Sequence, residues 1–182
     1  MPVPVTPTTY VVDMANLRPA QYVGSRSAID FPSYVSGFFD GEGCFTVSIS
    51  PRATLRVGWE VRPSVSVSQN EDRSQVIRRI MGYFECGSIR RDPSDQTVKW
   101  EVRSLHQLRQ QVLPHFEEWP LLSAKQQDVE LFVAVCDRMA RRQHLEPEGL
   151  IAIVTMARRM NPSGKRRFDP DVIIDQLNEM KA

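Results

Sequence analysis

Two carboxylates, Asp40 and Glu42, stand among three glycines, Gly37, Gly41 and Gly43, in the stretch YVSGFFDGEGCF over residues 34–45. Pro32 suits the first turn of a helix, where its missing N–H would go unused. Val35, Phe38 and Phe39 then supply apolar surface. Gly37 and Gly41 are four apart and so share one helical face. A glycine inside a helix costs about 0.5–1 kcal/mol relative to alanine, and close approach of a second backbone is the reason that would justify two. The helix should end near residues 41–43, with Glu42 at its C-terminus. There the negative end of the helix dipole adds to the carboxylate, and the two together favour a cation.

Residues 35–43, VSGFFDGEG, resemble the LAGLIDADG motif of homing endonucleases, and Cys44 and Phe45 continue the resemblance. It implies that two motif helices, from two subunits or two halves, pack together and bring their last acids to a shared active site. Glu42 is then the metal ligand, with Gly41 beside it, and Asp40 is a structural residue at the helix end. Tyr34, Gly37, Phe38 and Gly41 would form the helix–helix interface. The implied cofactor is Mg²⁺, with Mn²⁺ substituting and Ca²⁺ binding without supporting cleavage.

The 182 residues are 41% hydrophobic and 25% charged, as expected of one soluble domain able to bury a core. No apolar run approaches the ~20 residues of a membrane helix, so no membrane partner is expected. No signal peptide is apparent. Cys44, Cys86 and Cys136 are scattered and read as reduced thiols in a bacterial cytoplasm or an organellar matrix or stroma. A net charge of +1 argues against a nucleic-acid partner. Its distribution softens that objection, since residues 51–110 hold eleven Lys/Arg against seven Asp/Glu and neutrality overall is compatible with one basic face.

After the motif the period becomes two. Phe45, Val47 and Ile49 alternate with Thr46, Ser48 and Ser50, which predicts a half-buried strand. Beyond a connection at Arg52, a second strand is expected from Leu55, with Val57, Trp59 and Val61 opposite Arg56, Glu60 and Arg62. Pro63 should mark an edge, bulge or strand end, and Ser64, Ser66 and Ser68 continue the polar face as far as Gln69. A helix should start at residues 70–72 and carry Val76, Ile77, Ile80, Met81 and Phe84. A second hairpin follows, through Arg90 and Arg91 and then Val98, Trp100 and Val102, with Lys99 and Arg103 on its polar face. Ser104 can cap the next helix. Such polar faces are either ordinary wet sheet surface or, because a two-stranded ribbon fits the major groove, readers of base edges.

This order, helix, hairpin, helix, hairpin, helix, resembles the αββαββα core of the same family. The fold class expected is α+β, with a four-stranded antiparallel DNA-binding sheet and C-terminal helices. The domain should cover residues 28–182, preceded by an arm over residues 1–27. By the resemblance Gln69 helps hold active-site water, and Arg73 partners a phosphate or that network. Residues 114–132, PHFEEWPLLSAKQQDVELF, resemble the stretch carrying the family's active-site lysine. That residue is Lys125, or, if the match slips by two, Ser123 stands in its place. Lys165, Arg166 and Arg167 lie in a loop that resembles the family's backbone-contacting C-terminal loop.

The function expected is a site-specific homodimeric endonuclease that cuts both strands of a long pseudo-palindromic duplex by Mg²⁺-dependent hydrolysis. A single motif in the chain requires a second copy to complete the centre. Two alternatives share the scaffold: an intron maturase that binds its own RNA, and a DNA-binding regulator without catalysis.

Overall fold

The structure is a computed structural model and describes residues 30–161, 164 and 167–180. The expected arm and the basic residues Lys165 and Arg166 lie outside these. The elements run α1 (Phe31–Glu42), β1 (Gly43–Pro51), β2 (Trp59–Asn70), α2 (Gln75–Phe84), β3 (Ser88–Asp92), β4 (Thr97–Val102), α3 (Leu105–Gln107), α4 (Leu113–Glu118), α5 (Lys125–Ala140), α6 (Pro147–Arg159) and α7 (Pro170–Glu179). The four strands form one antiparallel sheet in the order β1-β2-β4-β3. Helices cover one face and leave the other open. This is the α+β architecture expected.

Each boundary has a local cause. Asp30 caps α1 by accepting from the Ser33 N–H, and Pro32 sits in the first turn. Ser104 accepts from the Gln107 N–H, as its position suggested. Between α3 and α4 the chain widens to a π turn over Leu108–Val112. Pro114 lies just beyond, and a proline inside a helix removes one i→i−4 donor.

One aromatic cluster holds α1 to the sheet. Phe39 lies 5.1 Å from Phe116, 6.0 Å from Trp100 and 6.2 Å from Phe45, all edge-on or tilted. Such contacts add about 0.5–1.5 kcal/mol each to their buried area. A second cluster gathers Val57, Trp59, Val61, Val135, Met139, Leu150, Ile153 and Leu177 and fastens α6 and α7 beneath the far end of the first hairpin.

Two expectations about these elements are corrected. The second strand starts at Trp59, not Leu55, and residues 52–58 form the connecting turn; Val57 is buried from that turn into the second cluster. Pro63 marks an edge, one of the three outcomes expected of it: β2 runs through it in register with Val47 on one side. Pairing with β4 begins only at Val65, so the edge beside Pro63 is open where a missing N–H costs no ladder bond. The helix expected at residues 70–72 is a 3₁₀ turn, Glu71–Arg73, and α2 begins at Gln75.

Candidate active site and nucleic-acid interface

The helix end is built by two residues acting across the fold. Asp40 accepts hydrogen bonds from the backbone N–H groups of Leu122 (3.1 Å) and Ser123 (3.0 Å) and from the Ser123 hydroxyl. These bonds, the hydroxyl first, hold its carboxyl below the usual range against the opposing effect of burial. Asp40 therefore fastens α1 to the loop before α5. The Lys125 ammonium, at the first turn of α5, donates into the carbonyls at the end of α1: Asp40 at 2.7 Å, Gly43 at 3.0 Å, Phe39 at 3.1 Å and Gly41 at 3.4 Å. A cation among these carbonyls, of which Phe39's also accepts the Gly43 N–H, complements the negative pole of the helix. Of the two alternatives for the lysine position, Lys125 reaches the motif through its charge, while Ser123 is occupied by Asp40.

The three motif glycines serve different purposes. A Cβ on Gly43 would come within 2.5 Å of the Phe39 ring and 2.6 Å of its carbonyl, so the tight exit from helix to strand demands glycine. A Cβ on Gly37 or Gly41 would meet nothing within 4 Å. Among the described residues no backbone makes the close approach expected at these two, and their side of α1 is open. Tyr34, 45% exposed, lies along the same side and stacks between Phe31 at 5.9 Å and Phe38 at 6.1 Å.

Glu42 is exposed, with no hydrogen bond or ion pair among the described residues. A free carboxylate beside the Gly41 carbonyl offers the hard oxygen donors that Mg²⁺ or Ca²⁺ takes. Among the described residues no three His, Cys, Asp or Glu come together as a metal site. Gln69 is half-buried at the end of β2 and accepts from the Asn70 N–H. Arg73 is exposed and pairs with Asp72 at 3.7 Å. No hydrogen bond or ion pair links either of them to Glu42 or Lys125 among the described residues.

The open face of the sheet carries Thr46, Ser48 and Ser50 on β1, Glu60, Arg62, Ser64, Ser66 and Ser68 on β2, Lys99 and Arg103 around β4, and Arg90 on β3. Two of the residues expected to meet DNA, Arg91 and Arg56, lie off this face, and a third, Ser66, is buried within it. Arg91 sits opposite Val98, whose side chain faces the core, and pairs with Glu71 at 2.7 Å; adjacent strand residues alternate faces, so Arg90 and Arg91 cannot share one. Arg56 lies in the β1–β2 turn and pairs with Glu146. Ser66 faces the expected way but is buried, next to Glu101 across the β2–β4 ladder. Arg52 and Arg62 both pair with Glu60, at 2.9 and 2.7 Å. Alongside β1 runs a groove of about 700 Å³, lined by Ser48, Ser50, Arg62, Arg103 and Arg167 among others. Arg167 stacks on Phe168 at 5.4 Å.

Sequence patterning did not single out a buried polar relay. The Ser36 hydroxyl donates to the Trp119 carbonyl (2.6 Å) and lies 3.1 Å from His115 Nε2, and His115 Nδ1 lies 3.0 Å from the Tyr83 hydroxyl. One tautomer satisfies all of it: Tyr83 donates to Nδ1, and Nε2–H donates to Ser36. The relay ties α1 to α2 and α4. Its only trace in the sequence is a lone serine on the apolar side of the motif.

A sheet with one open hydroxyl- and arginine-bearing face, and a glycine-lined helix ending in a free carboxylate, define a nucleic-acid-processing domain. A family model described as LAGLIDADG endonuclease matches residues 35–136, and the chain belongs to that family. It is 31% identical over 124 residues to the probable intron-encoded endonuclease 2 of Neurospora crassa, covering 68% of this chain and 27% of that one. The crystal structure of the homing endonuclease I-TnaI matches with a TM-score of 0.70 at 32% identity, covering 82% of this chain and 97% of that one. I-SmaMI, bound to uncleaved DNA target in the presence of calcium ions, matches with a TM-score of 0.71 at 29% identity over 75% of this chain and 46% of that one. The chain thus spans about a quarter of the length of the curated relatives it matches first. Among the described residues no helix is long and apolar enough to cross a membrane.

Proposed function

We propose that this protein is a homing endonuclease that acts as a homodimer and cuts both strands of a pseudo-palindromic DNA duplex with Mg²⁺. The observation that carries the reading is Glu42: an exposed carboxylate, unpaired among the described residues, at the end of a helix whose glycine side none of them covers. A second copy packed against Gly37 and Gly41 would bring a second Glu42 to the first. A two-fold dimer reads a target with matching symmetry.

Glu42 and the Gly41 carbonyl would hold the metal. When bound, a divalent ion polarises the scissile phosphate, lowers the pKa of the attacking water and stabilises the departing oxygen. Lys125 keeps positive charge at the same helix end, where it offsets negative charge developing on the phosphate. Gln69 would orient water and Arg73 would meet a phosphate near the centre. The open sheet face would lie in the major groove, with Thr46, Ser48, Ser50, Arg62, Ser64 and Ser68 toward base edges. Arg167, with Lys165 and Arg166, would position the backbone. The likeness to I-SmaMI, solved on DNA with calcium, supports both partner and metal.

The test is selection of cleaved duplexes from a pseudo-palindromic library. A long site should be recovered with Mg²⁺ or Mn²⁺ and bound but not cut with Ca²⁺. Glu42→Gln should lower cleavage by at least about a thousandfold with binding retained. Cutting by purified Glu42→Gln at the original rate would refute the assignment. Enrichment by binding with no cutting in any metal would make the protein a regulator.

A further inference from the structure

On the open face of the sheet, Glu101 sits between Ser66 on β2 and Ser88 on β3. Its side chain is 7% exposed, and three cations converge on it: Arg103 Nε at 2.9 Å, Arg90 Nη2 at 3.0 Å and Lys99 Nζ at 3.5 Å. The cations themselves are 59%, 60% and 41% exposed. Burial acts to raise the pKa of Glu101, but Lys99, Arg103 and Arg90 outweigh it and keep the group ionised.

A buried anion on a surface that meets phosphates is unfavourable twice over, through desolvation and through repulsion of the ligand. Glu101 fastens no helix end and no loop: among the described residues its side-chain partners are these three cations alone. What it does is fix them. Arg103 is gripped through Nε, which leaves its two terminal nitrogens without partners among the described residues. That pair matches the O6 and N7 acceptors of guanine in the major groove. An arginine already held in plane has less freedom to lose on binding than one waving from a strand. Glu60 repeats the device at the other end of the face, with Arg52 and Arg62.

Resting on the DNA-reading role proposed above, we propose that Glu101 is a positioning residue for sequence recognition, which pre-orients Arg103 and Arg90 toward guanine edges in each half-site. It contacts no DNA itself. A bare cationic patch would bind phosphates and read nothing, and the buried acid converts part of that patch into a reader.

The test compares the unmodified full chain with Glu101→Gln, which keeps shape and removes charge, and with Arg103→Gln, whose exposed side chain can be changed without threatening the fold. Each is profiled in Ca²⁺ against every single-base variant of the selected site and against random duplex over a salt series. Glu101→Gln should lose about fivefold or more of its discrimination at the guanine positions read by Arg103. It should also bind random duplex more tightly, with a salt slope steeper by about one per subunit. Arg103→Gln should lose the same base preference with a shallower slope. Thermal melting accompanies both; if Glu101→Gln does not fold, the Arg103→Gln profile decides. An unchanged base profile and slope in Glu101→Gln, or an unchanged profile in Arg103→Gln, overturns the inference while leaving the nuclease reading intact. An unmodified protein that binds no duplex selectively overturns both.

Discussion

The relay of Ser36, His115, Tyr83 and Trp119 makes the motif helix sensitive to acid, with a magnitude that can be worked out. Burial pushes His115 down from 6.5 to about 4. The unfolded chain therefore takes up a proton as pH falls below 6.5, while the folded chain stays neutral at this ring until about pH 4. The contribution to stability is complete above 6.5, declines through the window and is fully lost below 4. At about 1.4 kcal/mol per unit, the loss is about 2 kcal/mol by pH 5 and about 3 kcal/mol by pH 4. Carboxylates held low in the fold, such as Asp40 and Glu101, lose their own contribution only as pH falls below ordinary carboxylate values, so the range from pH 7 to 5 belongs to histidine. His144 is also lowered by burial and Arg142 and stays in both proteins compared, so it cancels. The assay is urea unfolding at pH 7, 6 and 5 on the unmodified protein and on His115→Gln. The difference between the two free energies should shrink by about 2 kcal/mol over that range. A pH-independent difference would refute both the neutral tautomer and the buried relay.

Two further outcomes test the helix end and its open side. Lys125→Met removes the ammonium from four carbonyls and should cost about 1.5–3 kcal/mol in urea unfolding, together with at least a tenfold loss of cleavage at the selected site. Stability and cleavage both unchanged would make Lys125 an ordinary surface lysine. Gly37→Leu places its side chain where a Cβ meets none of the described residues within 4 Å, so the fold should survive. The dimer should not: sedimentation should show monomer at concentrations where the unmodified protein is dimeric, and an equally dimeric variant would remove α1 as the interface.

The parts of the fold legible in the sequence are those governed by periodicity and by capping chemistry. Alternation of Phe45, Val47 and Ile49 with hydroxyls gave β1 its two faces, and Ser104 announced its helix because a side-chain oxygen before an apolar run is a local signal. The same rule, applied evenly, would have separated Arg90 from Arg91, since period two sends neighbours to opposite sides of a strand. Leu55 and Val57 misled because alternation does not distinguish a strand from a turn whose apolar residues are buried by α6 and α7. Pro63 left an edge, a bulge and a strand end open, and which of them holds depends on where β4 stops, a fact about β4 and not about β2.

The site divides along the same line. Asp40, Glu42 and the glycines were legible because motif spacing fixes what a short helix end can do. Local spacing alone could not assign Gly43 to a tight exit and Gly37 and Gly41 to an open side, because that depends on where Phe39 packs. Lys125 is eighty-odd residues from the carbonyls it meets, and Glu101 draws its meaning from cations on two strands. Both follow one physical rule, that a charge taken out of water must be met by opposite charge or dipole. At Lys125 the dipole is the end of the motif helix; at Glu101 the opposite charge is the set of arginines proposed to read DNA. A cation and an anion, each partly withdrawn from solvent, thereby hold in place the two groups on which the proposed cutting and reading depend.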